Sequence, residues 1–184
     1  MTFRCAIEAF SILDDPKVDG GAVVSLLKNH GATDASWKRI QGDKGHTDFV
    51  KVLIPGRRGK RSSTRDEDCA PTLGVIGRLG GIGARPGLIG FVSDGDGAAA
   101  ALTIALKLGD MNRRGDILDG DVIVATHICP DAPTQPHDPV PFMGSPVDMR
   151  TMNEYEIDPE MDAIISIDTT KGNRVVNHRG FAIS

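Results

Sequence analysis

Four places in this chain put chemically capable side chains just beyond apolar runs that read as buried strands. Arg78 follows residues 72–76, Asp94 and Asp96 follow 88–92, His127, Cys129 and Asp131 follow 121–126, and Asp168 follows 163–167. In open α/β sheets, functional groups gather beyond the carboxyl ends of strands. Asp94, Asp131 and Asp168 would then supply carboxylates from three strand ends, an oxygen-rich set that could converge around one cation. His127 is the group able to take or give a proton near neutral pH. Arg85 and Lys171 are cations that could hold a small carboxylate or phosphate, and His137 with Asp138 rides on a loop able to fold over the strand ends.

Each feature also has a plainer reading. Asp94 and Asp96 suit the N-cap and first turn of the helix that begins near Gly97. A histidine ending an apolar strand can simply be hydrogen-bonded in the core, and Cys129 beside Pro130 can be a buried thiol. Residues 168–173 read equally well as a polar turn.

The elements that must position these groups follow from periodicity and punctuation. Ala6, Ile7, Phe10 and Leu13 predict a helix over 3–13, stopped at Asp14-Asp15-Pro16. Asp19-Gly20-Gly21 opens a second helix with Val23, Val24, Leu26 and Leu27 as its apolar face, ending at Asn29-His30-Gly31. Strands are predicted over 36–41 and 47–54, joined by a hairpin at Asp43-Lys44-Gly45. Residues 56–70 form a polar loop, where Arg57, Arg58, Lys60, Arg61 and Arg65 meet Asp66, Glu67 and Asp68. That loop is read as solvated and mobile, with anion binding the alternative.

From Pro71 onward, buried strands over 72–76, 87–92, 121–126 and 163–167 alternate with an Ala-rich helix over 97–108. Residues 129–146 hold 6 of the 11 prolines and are expected as a loop, followed by a short helix over 147–155. Residues 174–184 begin one more strand. Strands alternating with helices predict one α/β domain over 1–184, with a mixed, mostly parallel sheet flanked by helices.

Composition narrows the function classes. The formal net charge of the 184 residues is −4, which supplies no concentrated basic surface for nucleic acid. Apolar stretches are broken within about ten residues, short of the ~20 needed to cross a bilayer. No charged-apolar-small leader precedes Phe3, and the 3 cysteines lack metal-knuckle spacing. The expectation is a cytoplasmic protein with free thiols. Glycine, at 22 residues against a usual ~7%, clusters around 74–97, where backbones must approach closely.

The order of these motifs resembles the co-catalytic zinc aminopeptidase and carboxypeptidase superfamily. That family has a strand ending in Gly-His-x-Asp, where this chain reads Gly77-Arg78-Leu79-Gly80. Its bridging ligand lies in Asp-x-Lys-Gly before an Ala-rich helix, where this chain has Asp94-Gly95-Asp96-Gly97. Its Glu-Glu pair corresponds to Pro130-Asp131 after Gly120-Asp121-Val122-Ile123, and its last acidic ligand to Asp168 after Asp162-Ala163-Ile164. A narrower resemblance is to the domain-of-unknown-function family 1177. It is carried by residues 77–86, 133–139 and 166–173 and extends from the first helix to Ser184.

The resemblance implies a zinc-peptidase-like (phosphorylase/hydrolase-like) fold, incomplete at the C-terminus, with members of both families continuing beyond this point. It implies Asp94 as the bridging ligand, Asp131 serving one metal and Asp168 the other. Arg78 stands where the family has its first metal histidine, Gly80 where it has the supporting aspartate, and Pro130 where it has the general base. His127, Cys129 or His137 would have to substitute.

Two readings stay open. One is a hydrolase of small molecules or short peptides with an altered, single-metal site, Asp94, Asp131 and Asp168 holding the cation and His127 acting as base. The other is a metal-free binding protein, with Arg78 paired to Asp94 or Asp168 in the vacated position and Arg85 and Lys171 holding a small anion. Its plainest form makes Arg78 purely structural. Superfamily relatives also imply homo-oligomerisation through an inserted lid, which no segment here clearly matches.

Overall fold

Helix α1 (Thr2–Leu13) buries Cys5, Ala9 and Leu13, and α2 (Gly20–Asn29) buries Val23, Val24 and Leu27. The Asp19 carboxylate accepts from Ala22 N at 2.8 Å to start α2, and Gly31 at φ +84° ends the turn that follows it. The computed structural model describes residues 2–61, 69–78, 82–84, 89–91, 95–136, 138 and 142–168. The expected strand over 174–184 lies outside them.

The hairpin is longer than the apolar pattern indicates. β1 (Asp34–Gly42) pairs antiparallel with β2 (Gly45–Ile54) through to Gly42 opposite Gly45, and Gly45 carries φ +137°. β3 (Leu73–Gly77) comes next. The described part of the apolar run over 87–92, residues 89–91, is not a strand of the main sheet. β4 (Ile82–Ala84) and β5 (Ile89–Phe91) pair with each other as a separate antiparallel ribbon. The Phe91 ring lies 5.0 Å from Phe10 on α1, and Phe91 N donates to Asp14 Oδ1 at 3.2 Å. A short apolar run records burial but not which partner supplies it, so the ribbon packs its Phe91 on α1 instead of joining the sheet.

Helix α3 (Asp96–Arg113) follows, with Gly95 at the N-cap and no side-chain cap. Asp96 sits in its first turn, where the helix dipole favours an acid, and Asp94 lies outside the described residues. Strand β6 (Val122–Ile128) is buried throughout, and His127 lies within it. The proline-rich stretch contains a minimal ribbon of β7 (Thr134–Gln135) and β8 (Phe142–Met143). Helix α4 (Met149–Glu156) is capped by Asp148, which accepts from Thr151 N at 2.8 Å, and β9 (Ala163–Ile167) closes the order.

The main sheet runs β1-β2-β6-β3-β9, with β6, β3 and β9 parallel and β1 and β2 antiparallel to their neighbours. This is the mixed α/β architecture expected. Side chains alternate across it. Val50, Val52, Val75, Val122 and Val124 face α1, α2 and α3 and form the core with Leu102 and Leu106. Phe49, Lys51, Ile123 and His127 occupy the other face, where Tyr155 of α4 stacks on Phe49 at 5.0 Å. Parallel crossovers in such sheets are right-handed as a rule, and the packing of Leu102 with the valine face and of Tyr155 with Phe49 agrees with it. The connection from β3 to β6 therefore carries α3 on one face, and the return from β6 to β9 carries α4 on the other.

Glycine makes one junction possible. A Cβ on Gly97 would lie 2.1 Å from Arg78 O and 2.5 Å from Ile167 O, so the first turn of α3 rests directly on the ends of β3 and β9. Gly97→Ala is expected to cost about 2 kcal/mol, because backbone rather than a flexible side chain must give way. Urea unfolding should show a lower midpoint at unchanged slope. An unchanged midpoint would contradict that packing.

The basic loop is tied down through residue 61. Gly56 N and Arg61 N donate to the buried Asp121 carboxylate at 2.8 and 3.0 Å. Lys60 Nζ reaches Asp162 at 2.7 Å, and Arg61 Nε reaches Glu160 at 2.9 Å. The Lys60 bond, then the Thr72 N–H, holds the Asp162 carboxyl below its usual value. Arg58, Lys60 and Arg61 thus meet acids distant in sequence, while residues 57, 58 and 61 stay exposed. Residues 62–68 lie outside the described residues.

Candidate functional site

The ends of β3 and β6 are neighbours, and their outgoing connections leave to opposite faces. That is the switch point at which open sheets leave a crevice. Arg78 stands at the end of β3 and His127 at the end of β6. Between them comes Glu156, the last residue of α4, fully buried.

Glu156 Oε1 meets His127 Nδ1 at 2.5 Å, and Glu156 Oε2 meets Arg78 Nε at 2.9 Å. The second contact is an ion pair rather than an aligned hydrogen bond, since Oε2 accepts none. The rest of the guanidinium is also held by α4. Its Nη2 donates to Asn153 Oδ1 at 2.7 Å, and Nη1 lies 3.0 Å from Met149 Sδ and 3.8 Å from Met152 Sδ. Met149, Met152, Asn153 and Glu156 recur at helical spacing on one face, and that face cradles a single arginine. The strand below is itself fixed by Thr126 Oγ1, which donates to Gly77 O at 2.8 Å.

This arrangement redirects one expectation. Arg78 is paired, but to Glu156, a residue the sequence reading did not select. Asp168 does not take part in that pair: it follows β9 and is exposed. Its pairing with Asp94 lies outside the described residues, as do Arg85, His137 and Lys171. Arg78 is 15% exposed and engaged on α4, so it offers little to an external anion.

Asp131 lies beside the hairpin, with Oδ2 3.8 Å from His46 Nδ1 and its carbonyl against Gly45. In the strand order β2-β6-β3-β9 this puts it three strand positions from Asp168. Among the described residues, no group of three or more His, Cys, Asp or Glu is placed to hold a metal ion. The described part of the carboxylate set therefore does not converge, and Asp94 is the member left outside.

Cys129 is buried, and burial pushes its thiol up to about 12, with the Thr47 hydroxyl at 3.5 Å pulling the other way. A group held as the thiol at neutral pH is a poor nucleophile. His127 is 1% exposed and its Nδ1 side is committed to Glu156, so a carboxylate orients the imidazole. Phe49 closes over it with ring centroids 5.7 Å apart. No helix among the described residues is long and apolar enough to cross a membrane.

Comparison with known proteins sets this chain in a family. Among solved structures, a tomato leucine aminopeptidase variant is similar with a TM-score of 0.44 and 16% identity, over 70% of this chain and 27% of its own. The bottromycin maturation enzyme BotP is similar with a TM-score of 0.37 and 15% identity, over 70% of this chain and 30% of its own. BotP in complex with Mn has the same score and identity, over 70% of this chain and 31% of its own. The chain thus spans about three tenths of the length of these structures. No curated protein matches it. The sequence profile of the family described as protein of unknown function (DUF1177) matches residues 38–184, and the chain belongs to that family.

Proposed function

We propose that this chain is a hydrolase domain acting on small amides or short peptides, with its reaction face at the carboxyl ends of β3, β6 and β9. The observation that carries this reading is the Arg78–Glu156–His127 chain of contacts at the switch point. A carboxylate on Nδ1 fixes the tautomer and orientation of an imidazole, which is what a histidine that moves protons or ligates a metal requires. Arg78, always charged, holds that carboxylate in place. Its engagement on α4 also weakens the anion-binding alternative.

Zinc or another divalent cation is the cofactor proposed, with Asp94 as its proposed ligand; Asp131 and Asp168, three strand positions apart, would not both reach the same ion. The described residues do not assemble three ligands, so no step is routed through a metal. The proton-handling role falls to His127. A second reading has one observation in its favour: His127 is almost fully buried. In that reading the three residues rivet α4 to the strand ends, and the domain binds a small molecule or peptide without turning it over.

Elemental analysis of protein purified without chelator separates the two. About one equivalent of zinc or manganese, lost in Asp94→Ala, is the expected result. Metal-free protein, with metal taken up by neither form, would overturn the metal-dependent part and leave the binding reading.

A further inference from the structure

A groove of about 150 Å³ opens on the α4 face of the sheet, away from the strand ends that carry His127. Asp34 and Ser36 of β1, Lys51 and Leu53 of β2, and Ile123 of β6 line it, with Arg61 and Asp158 at its border. Strand register makes these residues neighbours. Asp34 stands opposite Leu53, Ser36 opposite Lys51, and Leu53 opposite Ile123. Ile123 precedes His127 by four residues on one strand, on the order of 13 Å, so the groove is distinct from the reaction face.

Its chemistry is two-signed. Leu53 and Ile123 form an apolar floor, with two acids and two bases around it. Lys51 Nζ donates to Asp158 Oδ2 at 3.2 Å, which leaves further ammonium protons, and Arg61 uses its Nε on Glu160. The Asp34 carboxylate has no hydrogen bond or ion pair at contact distance among the described residues, and its charge acts on Arg61 across the groove. A lone anion would meet Asp34 and Asp158, and a lone cation would meet Lys51 and Arg61. Only a ligand carrying both charges satisfies both sides at once.

We propose that this groove binds a small zwitterion, the charge pattern shared by a free α-amino acid and a short peptide with both ends uncapped. The ammonium meets Asp34, the carboxylate meets Arg61 and Lys51, and Ser36 offers its hydroxyl alongside. Aliphatic surface of the ligand covers Leu53 and Ile123. The volume, well below the ~300 Å³ at which drug-sized sites begin, limits the ligand to very few residues. The inference stands independently of hydrolysis.

The test is amide NMR of the full chain titrated with glycine and with diglycine, against N-acetylglycine and glycinamide, which each carry one charge. Saturable shifts centred on residues 34, 36, 51, 53 and 123 are expected from glycine or diglycine, and the two arms show which zwitterion fits. Capping either end, Asp34→Asn or Arg61→Gln should each weaken binding tenfold or more. Both residues are exposed, so the variants keep the native spectrum elsewhere. The proposal is overturned if neither zwitterion gives saturable shifts there, if a singly charged control binds equally well, or if both variants bind like the parent.

Discussion

Glu156→Gln is expected to lower the stability of the chain by about 3 kcal/mol or more, the largest loss from any one polar substitution here. The carboxylate is fully buried and faces two partners at once, the 2.5 Å contact with His127 and the 2.9 Å contact with Arg78. Glutamine keeps the shape but removes the charge that offsets a guanidinium only 15% exposed. An uncompensated charge in that position costs more than the intact pair contributes, because desolvation of both ions has already been incurred. Urea unfolding of the parent and the variant, compared at a common slope, measures the loss. Arg78→Met should cost less in the Glu156→Gln background than in the parent, since the cation left stranded is then gone. A loss below about 1 kcal/mol would show the three residues to be uncoupled.

How much of this was legible beforehand differs from element to element. Helix α1 and helix α2 follow from apolar spacing and from Asp19 and Gly31, signals that act locally and carry their own physical cause. Strands β3 and β6 were legible as continuous apolar runs because both of their faces are covered, whereas β9 reads the same way although Ile164 and Ile165 are exposed. The run at 87–92 looked the same, but β5 pairs with β4 and packs Phe91 on Phe10. Periodicity cannot separate those cases, because burial against a helix and burial in a sheet leave the same pattern.

The site was half legible. Arg78 and His127 announce themselves by ending strands. Glu156 does not, since an acid at the end of a helix normally reads as solvated, and only the seating of α4 over the switch point buries it. The available signal was the spacing of Met149, Met152, Asn153 and Glu156, which puts a soft and polar stripe where an apolar one would be usual. The ion pairs of Arg58, Lys60 and Arg61 were not legible for a related reason. Their partners at 119–121 and 158–162 are distant in sequence, and nothing local reveals them.

Hydrolysis of short peptide anilides by the chain, assayed with added zinc or manganese beside His127→Gln, tests the proposed chemistry most directly. A proton-transfer group in position contributes roughly 100- to 10,000-fold to rate. Measurable turnover by the parent, reduced by that factor in a variant whose fold is intact by circular dichroism, is the predicted result. Turnover unchanged in His127→Gln would remove the histidine from the mechanism, and no turnover of any substrate with either metal would contradict the hydrolase reading itself.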